Sequence, residues 1–566
     1  MNIDYSQPTN CTWLRVFPLV LAVTSSLHWS GFYYSHDVPK WLVIDILLCT
    51  FIFTQRRYLS IDQSLVSLLF ISVGYLMVSS IFWASHQYAS IEFVLRFVLF
   101  GLSFSILNRA YTHAQRITLL IHSSVASSIV FSIAFLIERV IGLHVSNGAF
   151  TPIGFTNNAG HIFNIWLPAL FFYLFRKKHP KTTLLPTLFA ISVLLYVLQI
   201  SNIRTTMVGL ILSSLALVAI YLARSLYTRR YAFTSQLKLS LFIVLSLCIS
   251  LFAINILGTY SVSSPKNKTQ VLSQLSTITT SPVSAYQPRL NMLMNSWDML
   301  IDNPLGVGIN NFEYHHPAYA KVGEKNASNY INERQILRTP HNFIVKMYTE
   351  IGWVGGTLFL LMYAWLVIQT LKFVWKKPMH GWVLIATSTF LLHSLMSQVF
   401  LSPLSYIFAI LLFSCLTGHK ESEPLESNNL MKGVSYLMLF VPMYTIITLT
   451  SHYYHHSAGY NIELSKLKKS AAIYPGNDRA LLSLSQAYYQ RHNDKESALI
   501  TIKQFLALNP EHIYGRYYFA QLLLKNQQCE QAIYTLARLL SHYPSYADAT
   551  RLIEESANCQ AKQNSY

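Results

Sequence analysis

The chain has 566 residues, 52% of them hydrophobic and 12% charged, with a formal net charge of +18. A soluble globular protein carries roughly 25% charged residues, so the composition excludes an ordinary soluble enzyme and points to a polytopic membrane protein. The surplus Lys and Arg lie in short loops between apolar runs, as the positive-inside rule describes, so the charge does not call for a nucleic-acid partner.

About thirteen apolar spans follow in order, near 14–34, 41–54, 61–83, 91–108, 117–142, 161–175, 183–201, 205–223, 237–258, 343–371, 382–401, 403–417 and 431–450. A helix needs about 20 residues to cross the hydrocarbon core. Nothing at the N-terminus reads as a cleavable signal with a small-residue cut site, and the first span is expected to be a retained anchor. Cations fill alternate loops: Arg56 and Arg57, Arg109 and Arg116, Arg176 to Lys181, Arg224 to Lys238, and Lys372 to Lys377. That alternation predicts a cytoplasmic N-terminus, with residues 259–340 and everything after 450 on the far side.

Charges inside a membrane are expensive and tend to mark function. Asp45, Glu92, Arg96, Glu138, Arg139 and Arg204 fall in or near the outward halves of their helices, with Asp62 at the other end. Glu92 and Arg96, four apart on one face, are equally read as a mutually neutralising pair. Arg204, in SNIRTT (201–206), is either a snorkelling interfacial side chain or an anion clamp, because guanidinium grips phosphate by two parallel hydrogen bonds. Arg289 admits the same two readings.

The far-side loop 259–340 opens Ser/Thr-rich. A helix is expected from Pro288, with Leu290, Leu293, Met294, Trp297 and Leu300 on one apolar stripe, followed by the turn-rich NPLGVGINNF (303–312). Then comes TPHNFIVKMYTEIGWVGG (339–356). If the membrane core begins at Ile351, the preceding ten residues rise above it by about 15 Å as helix. Thr339 is expected as N-cap and Pro340 as the first helical residue, so that His341 and Asn342 occupy a first turn whose free N–H groups favour phosphate. The same dipole favours a neutral imidazole. Asn342, Lys346 and Glu350 share one helix face, and His341, Val345 and Tyr348 another.

The tail, 459–558, has its own period. Pro475, Pro510 and Pro544 are 35 and 34 residues apart, and Ala498 and Ala532 are 34 apart, which is the tetratricopeptide spacing. Such arrays bind protein. The six cysteines occur singly, with no zinc spacing. Cys529 starts one expected tail helix and Cys559 ends the next, symmetric about the turn at Pro544. On an oxidising face that level pairing predicts a Cys529–Cys559 disulfide.

No DxD or carboxylate pair stands on the far-side loops, so no divalent metal is expected. GVG (306–308) lacks the rest of a dinucleotide or Walker pattern, and there is no GxSxG. A phosphate-linked donor activated without metal or nucleotide fits what remains. A transporter or flippase would show an internal inverted repeat, and none is visible. A membrane-anchored scaffold leaves the loop motifs unexplained.

The pair NPLGVGINNF and TPHNFIVKMYTEIGWVGG resembles the O-antigen ligase, Wzy-type polymerase and pilin-type O-oligosaccharyltransferase superfamily, over residues 1–450. The resemblance implies an all-α polytopic bundle of about thirteen transmembrane helices. Its parts would be the N-terminal helices (1–258), a periplasmic loop (259–340), C-terminal helices (341–450) and the repeat tail. It implies transfer of a glycan from an undecaprenyl-diphosphate carrier to a hydroxyl acceptor at the periplasmic face of the bacterial inner membrane, with membrane lipid around it and no cofactor. His341 matches the family's loop histidine, assigned as the base, while Arg204 and Arg289 match arginines that hold the diphosphate. Asn310, Arg338, Asn342, Lys346 and Tyr348 are expected to bind substrate. TPIGFTNNAGHIF (151–163) is similar to the G-x-x-x-Q-x-N signature of the pilin-type branch through Gly154 and Asn158, with Thr156 in place of Gln. That similarity and the tail favour a pilin or other periplasmic protein as acceptor.

Overall fold

The computed structural model describes residues 8–28, 37–59, 65–141, 150–175, 181–200, 203–228, 241–246, 282–320, 339–417, 429–459, 462–544 and 546–564. It is an all-helical, multi-pass membrane protein. The first eight helices are α1 (Pro8–Ser26), α2 (Asp37–Thr54), α3 (Leu65–Ser80), α4 (Gln87–Ala110), α5 (His113–Ile141), α6 (Thr156–Phe175), α7 (Lys181–Ile200) and α8 (Arg204–Thr228). The loop helix α9 (Pro282–Asp302) precedes α10 (Phe343–Lys376), α11 (Gly381–Ser394), α12 (Pro403–Ser414), α13 (Asn429–Leu437) and α14 (Phe440–Ser457). Among the described residues six helical stretches are long and apolar enough to span a membrane, the longest being α10. The only strands described are the two residue pairs Phe150–Thr151 and Gly154–Phe155, joined as a hairpin ahead of α6. The expected span 237–258 lies mostly outside the described residues, as do Asp62 and the Ser/Thr-rich stretch.

Apolar side chains of α1, α2, α5, α6, α11 and α12 form one continuous core, with Trp166 and Trp382 fully buried in it. Four of the membrane charges, Asp45, Glu92, Arg96 and Glu138, have partners. Arg96 binds Glu92 at 2.6 Å, approaches Asp45 at 4.0 Å and lies 3.8 Å over the Trp41 ring. Asp45 also accepts from the Thr445 hydroxyl at 2.7 Å. Glu138 has His28 at 3.8 Å.

Two sequence expectations are corrected. Helix α9 begins at Pro282, ahead of Pro288, and its buried side carries Met292, Asn295, Ser296, Met299 and Leu300. Of the expected apolar stripe, Leu290, Leu293, Met294 and Trp297 are exposed, and Leu300 is buried. The Trp297 ring meets that of Trp353 in α10 at 5.4 Å, so the periodic stripe here is an exposed apolar face rather than a protein core. The helix that follows the loop starts at Phe343 with Asn342 as N-cap, not at Pro340 with Thr339. Both are good caps, but His341 has φ 51°, a left-handed conformation that no helical turn accommodates.

The tail is a stack of helix pairs: Asp478–His492 with Lys495–Leu508, Ile513–Lys525 with Cys529–His542, and a last helix Ala547–Asn564. Asn477, Asp494 and His512 cap three of these helices with their side chains. Cys529 and Cys559 are bonded, with Cα atoms 6.0 Å apart. The tail packs on the loop. Met292 and Ala320 join Ile513, Leu536, Leu539 and Tyr543 in one apolar cluster, and the Tyr543 hydroxyl donates to the Pro317 carbonyl. Loop and tail therefore lie on the same face.

Candidate active site

The two sequence motifs fold into one unit. Glu350, fully buried on the second turn of α10, accepts the N–H groups of Asn310 at 2.9 Å and Phe312 at 3.1 Å. Main-chain bonds continue the seam: Val307 N–H to the Thr349 carbonyl (3.0 Å), Gly308 N–H to that of Glu350 (3.0 Å) and Trp353 N–H to that of Pro304 (3.1 Å). Gly352 is the one non-helical residue inside α10, at φ 71°, which bends the helix where it meets the loop. Asn311 ties the unit to α4 by accepting from His86 N–H at 2.8 Å and donating to Ser90 Oγ at 2.8 Å.

This arrangement assigns several candidate residues to the frame. Lys346, 1% exposed, pairs with Glu350 and donates to Asn310 Oδ1 at 3.3 Å. A lysine so enclosed satisfies a buried carboxylate and does not reach solvent. Asn310, at φ 58°, spends its polar atoms on Glu350, Lys346 and the Ala89 carbonyl. Asn342 Oδ1 accepts from Ile344 and Val345 N–H at 3.0 and 3.1 Å. The N–H groups expected to greet a phosphate at the start of α10 are thus already taken. Tyr348 shares a hydrogen bond with Thr357 and packs edge-on to Trp353.

His341 stands just outside the helix, half-buried, its N–H 3.4 Å from Thr339 Oγ1. Burial, and then the charge of Arg289, hold its pKa below the ordinary histidine value, so at neutral pH the imidazole is uncharged and able to accept a proton. Arg289 is exposed on α9 and donates from Nη1 to Met396 Sδ at 3.4 Å. Its charge acts on His341 and on His393. Residues 52 positions apart in sequence are brought together here. Arg204 is the first residue of α8, and Thr206 in the same turn lies 3.2 Å from His393 Nδ1. Gly154, buried at φ 127°, turns the hairpin before α6, and Asn158 is half-exposed on the first turn of that helix. Arg338 lies outside the described residues.

A largely apolar cavity of about 800 Å³ reaches Phe343, at the start of α10. Asn310, Phe343 and Phe400 line one end, Phe97 and Met362 the middle, and Asn108 the other end of α4. Its dimensions and lining suit a hydrocarbon chain entering from the bilayer. The sequence reading passed over His161, Asn164 and His393, which cluster beneath Arg289. The first two belong to or adjoin the stretch 151–163, and only packing reveals their link to His393.

Residues 188–360 match the family model described as O-Antigen ligase. The segment runs from α7 through both arginines and His341 to the bend in α10. No curated protein matches the chain.

Proposed function

From a multi-pass membrane protein that carries an O-antigen ligase segment, a glycosyl-transferring family acting on a lipid-linked glycan, we propose an O-linked protein oligosaccharyltransferase at the periplasmic face of the bacterial inner membrane. The donor is a glycan on undecaprenyl diphosphate, and the acceptor is a Ser or Thr hydroxyl of a pilin or another periplasmic protein. The observation that carries this reading is that the Arg289 charge acts on His341, which stands two residues before Phe343 in the lining of a largely apolar cavity.

The acceptor oxygen attacks C1 of the first sugar, forming the new glycosidic bond as the bond from C1 to the diphosphate oxygen breaks. The neutral His341 takes the hydroxyl proton. Arg289 and Arg204 receive the charge that develops on the departing lipid diphosphate. General-base help and charge stabilisation are each worth about 10²–10⁴-fold. Asn310, Lys346 and Asn342 support the chemistry by holding the loop on α10 rather than by touching substrate.

The tail is read as a tetratricopeptide-like, protein-binding domain, and its packing on the loop supports a polypeptide acceptor. The bonded cysteines favour an oxidising compartment for it, in keeping with a cytoplasmic N-terminus. Transfer to lipid A core or to a growing O-antigen chain is the second reading, supported by the description of the matched family. Glycan labelling of periplasmic proteins and of lipopolysaccharide, in cells with and without the chain, separates them. Labelled protein that disappears with the chain supports the first reading, and loss confined to lipopolysaccharide overturns it.

A further inference from the structure

Beneath Arg289 lies a buried polar cluster that the mechanism above does not use. His161 and Asn164 come from α6, Thr206 from the first turn of α8, His393 from the end of α11 and Ser397 from the turn after it. His161, Asn164, Thr206 and His393 are each 3% exposed or less. The two histidine rings meet edge to face at 4.7 Å. Asn164 Nδ2 lies 2.9 Å from His393 Nδ1, and an amide nitrogen only donates, so Nδ1 is the acceptor and the ring proton sits on Nε2. The Thr206 hydroxyl is 3.2 Å from that same nitrogen and 3.0 Å from the Gly160 carbonyl, so its single proton is shared between two acceptors. His161 Nε2 is 2.8 Å from Ser397 Oγ.

We propose that His393 is a positioning residue, which fixes the start of α8, and with it Arg204, relative to Arg289. On one side its Nδ1 holds Thr206, two residues after Arg204. On the other, the turn that leaves His393 carries Met396, whose sulfur accepts from Arg289 Nη1 at 3.4 Å. Gly160 completes the joint. A Cβ there would fall 2.5 Å from Ile203 Cγ2 and 3.0 Å from Thr206 Oγ1, so only glycine lets α8 begin this close to α6. The stretch 151–163 thereby acquires a physical task, seating the first turn of α8, which begins at Arg204. Buried hydrogen bonds in a low-dielectric core are directional in a way that apolar packing is not, and displacing a binding group by about 1 Å costs on the order of 10²-fold.

The proposal rests on the reading of the two arginines as a diphosphate clamp. The test uses the full chain in lipid nanodiscs and measures binding of glycan-free undecaprenyl diphosphate, alongside transfer kinetics, for His393→Leu, His393→Gln, His393→Asn and Thr206→Val. Asn places a hydrogen-bonding atom where Nδ1 stood, whereas Gln replaces Nε2. Binding is expected to weaken about tenfold in His393→Leu and His393→Gln and severalfold in Thr206→Val, as loss of one buried hydrogen-bond network implies. His393→Asn should stay near wild type, and the KM for acceptor should not change in any of them. Wild-type affinity in His393→Leu and Thr206→Val, or an equal loss in His393→Asn and His393→Leu, overturns the positioning role. Failure of the wild-type chain itself to bind the lipid diphosphate overturns the clamp reading as well, so the two failures are distinct.

Discussion

Gly306 and Gly352 face each other across the seam between the loop and α10. A methyl on Gly306 would fall 2.3 Å from the Glu350 carbonyl oxygen, and one on Gly352 would fall 2.4 Å from the Pro304 carbonyl oxygen. Both residues also hold positive φ, 82° and 71°. Backbone therefore meets backbone at a point where neither partner has a flexible end to move.

Gly306→Ala and Gly352→Ala should each destabilise the protein by about 1–3 kcal/mol through backbone strain, and the displaced loop should lower transfer at least about tenfold. Thermal unfolding and transfer rate measured together check this. Gly433→Ala is the control, since nothing lies within 4 Å of its added methyl, and it should leave both unchanged. Wild-type rates in the first two variants would remove the seam from the account of activity.

His341→Ala should abolish transfer while the protein still inserts normally. The pH profile supplies a second check. Arg289 disfavours the imidazolium, so removing its charge in Arg289→Gln lets the His341 pKa rise. The base is then protonated at a higher pH, and the acid limb of residual activity should move up. Arg289→Lys keeps the charge but not the two parallel hydrogen bonds, so it should lose rate without that shift. An unmoved acid limb in Arg289→Gln would dissociate His341 from it.

Lys346→Met should behave as a stability mutant. Removing one member of a buried ion pair strands the other, at a cost of about 3–5 kcal/mol, and Glu350 is fully buried. Lower expression and a lower unfolding temperature are expected, with donor affinity per folded molecule preserved. Normal stability combined with weak donor binding would instead return Lys346 to the list of substrate ligands.

Cys529→Ser or Cys559→Ser should cost the tail about 3–4 kcal/mol on the chain-entropy view of its closed loop. The sequence separation is 30 residues. Limited proteolysis should then begin in the last two tail helices. Rapid alkylation of both thiols in unreduced, intact wild-type protein would show them unbonded.

Much of this was legible in the chain because hydropathy and loop charge are local, one-dimensional properties. The apolar runs that become α4, α5, α8, α10 and α14 announce themselves, and so do the 34-residue period of the tail and the level pairing of Cys529 with Cys559. The motif resemblance singled out His341 and Arg289 before any geometry was known. Other features depended on which surfaces meet. Thr339 and Asn342 are both able caps, and the left-handed turn at His341, set by the docked loop, selects Asn342. Lys346, expected to bind substrate, shares a helix face with Glu350 already in the sequence, but that the pair is buried depends on the 303–312 loop, whose Asn310 and Phe312 N–H groups also bind Glu350. The periodic stripe on α9 states only that one face is apolar. Whether that face is buried is decided by what packs on it, and here Leu290, Leu293, Met294 and Trp297 stay exposed. His161 and His393, separated by more than half the membrane bundle in sequence, carry no joint signal at all, because a contact between distant segments is fixed by packing and by nothing in the residues that flank either one.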